Sequence, residues 1–254
     1  MSSKYVLILP APALQNFVSH YWLSRDNSDR LHVALPDGAV DLVIQTDETT
    51  ISSWLYGTTT TRTNISKGQN CHYLGIRFKP GQSRHFICPS AHDLTDTYTA
   101  THDALKFSIN EVSETFFLES NAAVQLNTCL ANHLNKYPPT DQRIDDVIRF
   151  IEATRGTTRM SEAAEVFGQS RRQFERVFRQ TVGISAKTFA KIIRFHHAAN
   201  LISQPSALPL AHIAAELNYT DQSHMNHDFQ DLAGVSPTQL AGDSVAFLQD
   251  LRSE

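Results

Sequence analysis

Between Ser170 and Thr181 the chain places Arg171, Arg172, Arg176 and Arg179 against a single acid, Glu175. At helical spacing these five line one side of a helix whose other side is Phe174, Val177 and Phe178. Guanidinium forks bond phosphate oxygens and the O6/N7 edge of guanine bidentately, so this face has the chemistry of polyanion and base recognition. Seen alone, an arginine-rich helix face is more often a solvated surface than a reader. Fifty-one residues on, the matching positions hold Gln222, Ser223, His224, Asn226 and His227. Amides of this kind pair with adenine. That second segment, Asp221 to Leu232, has no lysine or arginine and three aspartates. Phosphate neutralisation supplies much of the affinity for DNA. The first segment, helped by Lys187, Lys191 and Arg194 between the two, is therefore expected to supply most of the electrostatic grip on phosphates.

What must position these residues is an internal repeat. Met160–Phe189 lies over Ala211–Leu240, matching Ala163-Ala164-Glu165 to Ala214-Ala215-Glu216, Phe178 to Phe229, Gly183 to Gly234 and Ser185 to Ser236. Two copies fall short of an array, so these are two copies of one helix–turn–helix unit. Ser170 and Asp221 stand where each second helix needs an N-cap, and Gly183 and Gly234 where it must stop. Ala186 to about Ser203 reads as one connecting helix of roughly 27 Å. A rod of that length can hold two reading helices on successive major-groove faces, about 34 Å apart. Ahead of the repeat, Ile144, Val147, Ile148 and Ile151 mark an amphipathic helix capped by Thr140 or Asp141 and ended at Arg155-Gly156.

The region before Tyr137-Pro138-Pro139-Thr140 differs in kind. Alternating runs at Val40–Ile44 and His72–Phe78, bounded by Pro36-Asp37-Gly38 and Pro80-Gly81, read as strands. The β-branched run Thr58–Thr61 reads as another. Leu14, Phe17, Val18 and Tyr21 suggest a short helix, and Leu126, Leu130 and Leu134 a longer one over about Ala122 to Asn135. The expected fold class is α+β. It comprises a small β-barrel-like front domain with flanking helices (1–136), an all-α domain of two helix–turn–helix units joined by a linker helix (141–242), and a tail (243–254).

The segment from about Ile144 to Leu240 resembles the DNA-binding domain of the AraC/XylS family of bacterial transcription regulators. The residues that carry the likeness are Ile213-Ala214-Ala215-Glu216-Leu217-Asn218-Tyr219, Asp221-Gln222-Ser223-His224-Met225, Asp228-Phe229 and Gly234-Val235-Ser236-Pro237. Tyr21-Trp22, Leu35–Gly38, Asp41-Leu42 and Gly75–Gly81 give the front half a weaker likeness to the N-terminal domain of some members. The resemblance implies double-stranded DNA as partner, with Ser170, Arg171, Arg172, Glu175, Arg176 and Arg179 in the first unit and Gln222, Ser223, His224, Asn226 and His227 in the second. It also implies a small-molecule effector or a homodimer contact in the front domain, and a contact with RNA polymerase, as in an activator. The family usually carries basic residues late in the second reading helix, so Asn226, Gln230 and Asp231 depart from it. An interaction protein that keeps the fold but binds DNA weakly is the alternative from another class.

Other chemistries find little support. At 254 residues, 41% hydrophobic and net charge −4, the chain suits a packed core, and whole-chain charge says nothing about where the cations cluster. The twelve histidines include His72, His85, His92 and His102 in the β-rich half, without HxH or HExxH spacing, so no metal is expected. Cys71, Cys88 and Cys129 form no CxxC, and neither a phosphate-binding glycine loop nor a GxSxG elbow occurs. No enzyme and no cofactor is expected. With no 20-residue apolar run and no secretory leader, the expected location is the cytoplasm and no membrane partner is foreseen. Trp54, Tyr56 and Phe78 are candidates to line an effector site, with core packing the commoner fate of each.

Overall fold

The computed structural model describes residues 4–25, 31–47, 50–66, 68, 71–109, 122–204 and 208–242. The expected tail at 243–254 and the helix-breaking Pro205 lie outside these. The chain is α+β, as expected. Its strands are β1 (Lys4–Ile8), β2 (Val18–Arg25), β3 (Leu31–Ala34), β4 (Val40–Thr46), β5 (Ile51–Tyr56), β6 (Thr63–Ser66), β7 (His72–Phe78) and β8 (Tyr98–Ala100). Six form an antiparallel sheet in the order β1-β2-β7-β4-β5-β8, and β3 pairs with β6 as a separate ribbon. The six-stranded sheet is open and does not close into a ring, so the barrel-like form expected of this domain holds only loosely. Alternation sets its two faces: Leu42, Ile44, Leu55, Leu74, Ile76 and Phe78 point into a core with Leu126 and Leu130 of α1 (Ala122–Lys136).

Two expectations in this half fail for physical reasons. Leu14, Phe17, Val18 and Tyr21 do not share a helix: Pro12–Leu14 is a single 3-10 turn, and Val18 already begins β2. A bulge between Val18 and His20 shifts the alternation by one, which mimics helical spacing over so short a window. The run Thr58–Thr61 is loop and not strand. Its hydroxyls are turned to other work, described below.

The helical part comprises α2 (Arg143–Ala153), α3 (Met160–Phe167), α4 (Arg171–Val182), α5 (Ala186–Ile202), α6 (Leu210–Glu216), α7 (Gln222–Ala233) and α8 (Pro237–Gly242). One continuous core holds them, with Phe174, Phe178, Phe189, Phe195 and Phe229 each almost fully buried. α2 starts one residue later than expected, from Gln142. Asp141 accepts from the Arg143 backbone N–H at 3.0 Å, so it still satisfies a free donor of the first turn. No helix among the described residues is long and apolar enough to cross a membrane.

Candidate nucleic-acid interface

Each reading helix begins as the sequence requires. Ser170 Oγ accepts from the Gln173 N–H and Asp221 Oδ1 from the His224 N–H, which closes the tight turn of each unit and fixes where the next side chains emerge. Phe174, Phe178 and Val182 in α4, and Met225, Phe229 and Leu232 in α7, anchor the opposite faces in the core. With those faces buried, Arg171, Arg172, Glu175, Arg176 and Arg179 stand exposed together, and so do Gln222, Ser223, His224 and His227. Asn226 is half-buried, with its Oδ1 sealed from water and without a hydrogen-bond partner. On α4, Arg171 pairs with Glu175 at 2.9 Å one turn on, and Arg176 donates to Gln180 at 3.2 Å. Both contacts are solvent-exposed and easily exchanged for a stronger acceptor.

The linker helix brings a different outcome for its cations. Lys187 is exposed. Lys191 and Arg194 instead face α7: Lys191 lies 3.2 Å from Asp228 and 2.8 Å from Asp231, and Arg194 lies 3.1 Å from Asp228. The Arg194 guanidinium also covers the Tyr219 ring at 4.2 Å. Asp228 is only 5% exposed, so this carboxylate is an internal counter-ion. The hydrogen bond from Lys191 holds Asp231 below the usual carboxylate range. Two of the three aspartates that made the second helix look hostile to DNA thus tie it to the linker. Lys191 and Arg194, expected on phosphates, are engaged inside the protein for the same reason. His227, Asp228 and Asp231 also cluster closely enough for a metal, but Lys191 already occupies the space between the carboxylates.

Sequence reasoning missed the contact between the two halves. Thr58, fully buried, donates its hydroxyl to the Val182 carbonyl at 2.9 Å, and Thr95 donates to the Gly183 carbonyl at 2.8 Å. These cap the C-terminal end of the first reading helix, where carbonyls otherwise lack donors. The same loop reaches the second unit, since the Arg62 backbone N–H donates to the Leu232 carbonyl at 2.9 Å. Elsewhere Arg84 grips both oxygens of Asp145 at 2.8 Å, Gln82 donates to the same carboxylate at 2.8 Å, and His196 Nε2 donates to the Pro36 carbonyl at 2.6 Å. Burial pushes the His196 imidazole down to about 4, so it is neutral in the fold. The one available signal was the threonine run itself, whose side chains serve carbonyls as readily as they favour strands.

Residues 163–242 match the family described as a helix-turn-helix domain, over both reading helices and the linker. This segment is a helix-turn-helix domain. Residues 7–100, ahead of this helix-turn-helix domain, match a family described as a domain of unknown function. An uncharacterized HTH-type transcriptional regulator of Haemophilus influenzae is 30% identical over 100 residues, which is 39% of this chain and 33% of the relative. The match thus spans about a third of that regulator's length. Among solved structures, ToxT from Vibrio cholerae O395 superposes with TM-score 0.44 at 9% identity, over 87% of this chain and 97% of its own. Another ToxT structure from Vibrio cholerae, at 1.65 Å, gives 0.47 at 8% identity, over 95% and 98%.

Proposed function

We propose that this chain is an AraC-type, sequence-specific DNA-binding transcription regulator whose front domain senses a small molecule or dimerises. The observation that carries the reading is the exposure of both capped reading-helix starts while the front domain is docked behind them. A helix presented this way can enter a major groove with its first residues on base edges. Arg171 and Arg172 are assigned to base edges or phosphates, Arg176, Arg179 and Lys187 to the backbone, and Gln222, Ser223, His224 and His227 to weaker contacts in the next groove. Lys191 and Arg194 are assigned to holding the second unit on the linker. Selection of genomic fragments with purified full-length protein tests this, and enrichment of a shared motif that weakens with salt is the expected result. The cation-free second helix favours the other reading, an interaction module. Folded protein that enriches no motif would select that reading and overturn the first.

A further inference from the structure

The sheet face turned away from the core carries a row of chemistry that the interface does not use. In the strand register Arg77 sits opposite Asp41, Asp41 opposite Tyr56, and Tyr56 opposite Tyr98, so the four form one line across β7, β4, β5 and β8. The β3–β6 ribbon folds over this line, and a cavity of about 330 Å³ is left between them. That volume is at the lower end of small-ligand pockets, roughly 300–1,000 Å³.

Two properties of the lining define what fits. Tyr56 and Tyr98 stack with ring centres 5.2 Å apart and planes 26° from parallel, and Trp54 meets Tyr98 edge-on at 5.7 Å. Tyr98 remains 58% exposed, so an aromatic surface is kept open at the mouth. The charged groups are Asp37, Asp41 and Asp96 against Arg77, whose guanidinium is already bridged to Asp37 and Asp41. A carboxylate ligand would meet this surplus of negative charge with Arg77, the one cation among the described lining residues, already spoken for. A positive ligand meets acids and π faces together, the combination that holds ammonium groups.

We propose that this cavity binds a small organic cation, an amine or quaternary ammonium carried on a compact planar or apolar body. As an effector site it rests on the regulator reading above. The route to the heads is short. Gly57, Thr59 and Thr63 line the cavity, while Thr58 and Arg62 of the same loop hold Val182 and Leu232 at the ends of the two reading helices. An occupant that shifts the loop therefore acts on both heads at once.

Calorimetric titration of the full-length protein, without DNA, tests the site with benzyltrimethylammonium, phenylacetate and benzyl alcohol as cationic, anionic and neutral probes. Saturable binding of the ammonium alone is expected, weakened by about tenfold in Tyr98→Ala, an exposed edge-strand change. Asp96→Asn lowers the negative charge of the lining and should also weaken it. Because the Asp96 carboxylate also accepts from the Thr60 N–H and hydroxyl at 2.7 Å, circular dichroism checks that both variants fold. Equal binding of phenylacetate, silence from all three probes at millimolar concentration, or a Tyr98→Ala variant that binds normally each overturns the proposal. If the ammonium binds but no DNA motif is enriched, the cavity assignment stands and the regulator reading falls. If it binds and DNA affinity does not change, the route through the loop is overturned.

Discussion

The two helix–turn–helix units share a fold but solve opposite electrostatic problems. The first turns its cations outward and is fixed to the front domain by hydroxyls, with Thr58 and Thr95 closing the end of α4. The second has no cation on its reading helix and is fixed to the linker by charge, with Asp228 and Asp231 holding Lys191 and Arg194. A like turn in sequence thus leaves one unit's arginines exposed and gives the other an internal ion network. The front domain reaches the second unit through the Arg62–Leu232 backbone bond. The difference teaches that charge counted along a helix says little until its partners are known. Asp228 looks like repulsion in the sequence and is cohesion in the fold.

The largest test of this asymmetry is on DNA. Replacing Arg171 and Arg172 together by alanine should cost about 3 kcal/mol of operator affinity, roughly a hundredfold, measured by fluorescence anisotropy. Replacing Gln222 and Asn226 should cost only about 1 kcal/mol. The salt dependence separates roles within the first pair, because each lost phosphate contact lowers the slope of log K against log salt by about 0.9. Equal losses from the two pairs would erase the asymmetry. Asp228→Asn comes next, read by urea unfolding. It leaves Arg194 and Lys191 without their shared buried counter-ion, and a loss of about 3 kcal/mol is expected. A neutral result would mean the network does not hold the second unit.

Equivalent glycines offer a cleaner contrast. Gly183 has φ +97°, and a Cβ there would lie 3.0 Å from the Ala91 carbonyl oxygen and 3.2 Å from each of the Thr58 and Thr95 hydroxyls. Gly234 has φ +70° with nothing within 4 Å. Both alanine variants pay for the left-handed backbone, about 1 kcal/mol, but only Gly183→Ala adds a steric conflict with the front domain. Unfolding should show about 2 kcal/mol lost for Gly183→Ala against about 1 for Gly234→Ala. Equal costs would show that the front domain does not press on the first unit.

The contact between the halves should also respond to pH. His196 has an ordinary value of 6.5 and is pushed down to about 4 by burial, with His85 displaced the same way by burial and then by Arg84. Above pH 6.5 both folded and unfolded chains hold these rings neutral, and the stability from their burial is complete. As pH falls from 6.5 towards about 4, the unfolded chain takes up protons that the fold refuses, so stability declines across that window. His196→Gln should flatten part of this decline while keeping a donor for the Pro36 carbonyl. An unchanged slope would place the titration elsewhere.

Much of the helical half was legible because its signals are local. Ser170, Asp221, Gly183 and Gly234 mark helix ends by chemistry that does not depend on distant residues, and the repeat doubled each of them. What could not be read is long-range. The Thr58 hydroxyl finds its acceptor 124 residues away, and nothing in a threonine run distinguishes a strand from a set of caps. Lys191 and Asp228 are 37 residues apart in sequence, so an ion pair between two helices was invisible to helix-face arithmetic. The row Arg77-Asp41-Tyr56-Tyr98 likewise exists only once strand order and register are known. Tyr56 was a candidate lining residue and does line the cavity, whereas Phe78 is fully buried and stacks on Phe86.

The smallest expected effect is at Glu175, and it sharpens what the first unit reads. Its carboxylate holds Arg171 at 2.9 Å on the helix surface, with both side chains more than half exposed. Such a pair is worth no more than about 0.5 kcal/mol to folding, so Glu175→Gln should leave the unfolding midpoint almost unchanged. On DNA the substitution removes a negative charge beside phosphates and frees Arg171. Affinity should therefore rise by about 0.5 kcal/mol on every sequence, specific or not. A carboxylate can also accept from the cytosine amino group, and then the variant would lose affinity at one operator position only. A uniform rise assigns Glu175 to tethering Arg171 until DNA replaces it, and leaves base reading in the first unit to the arginines.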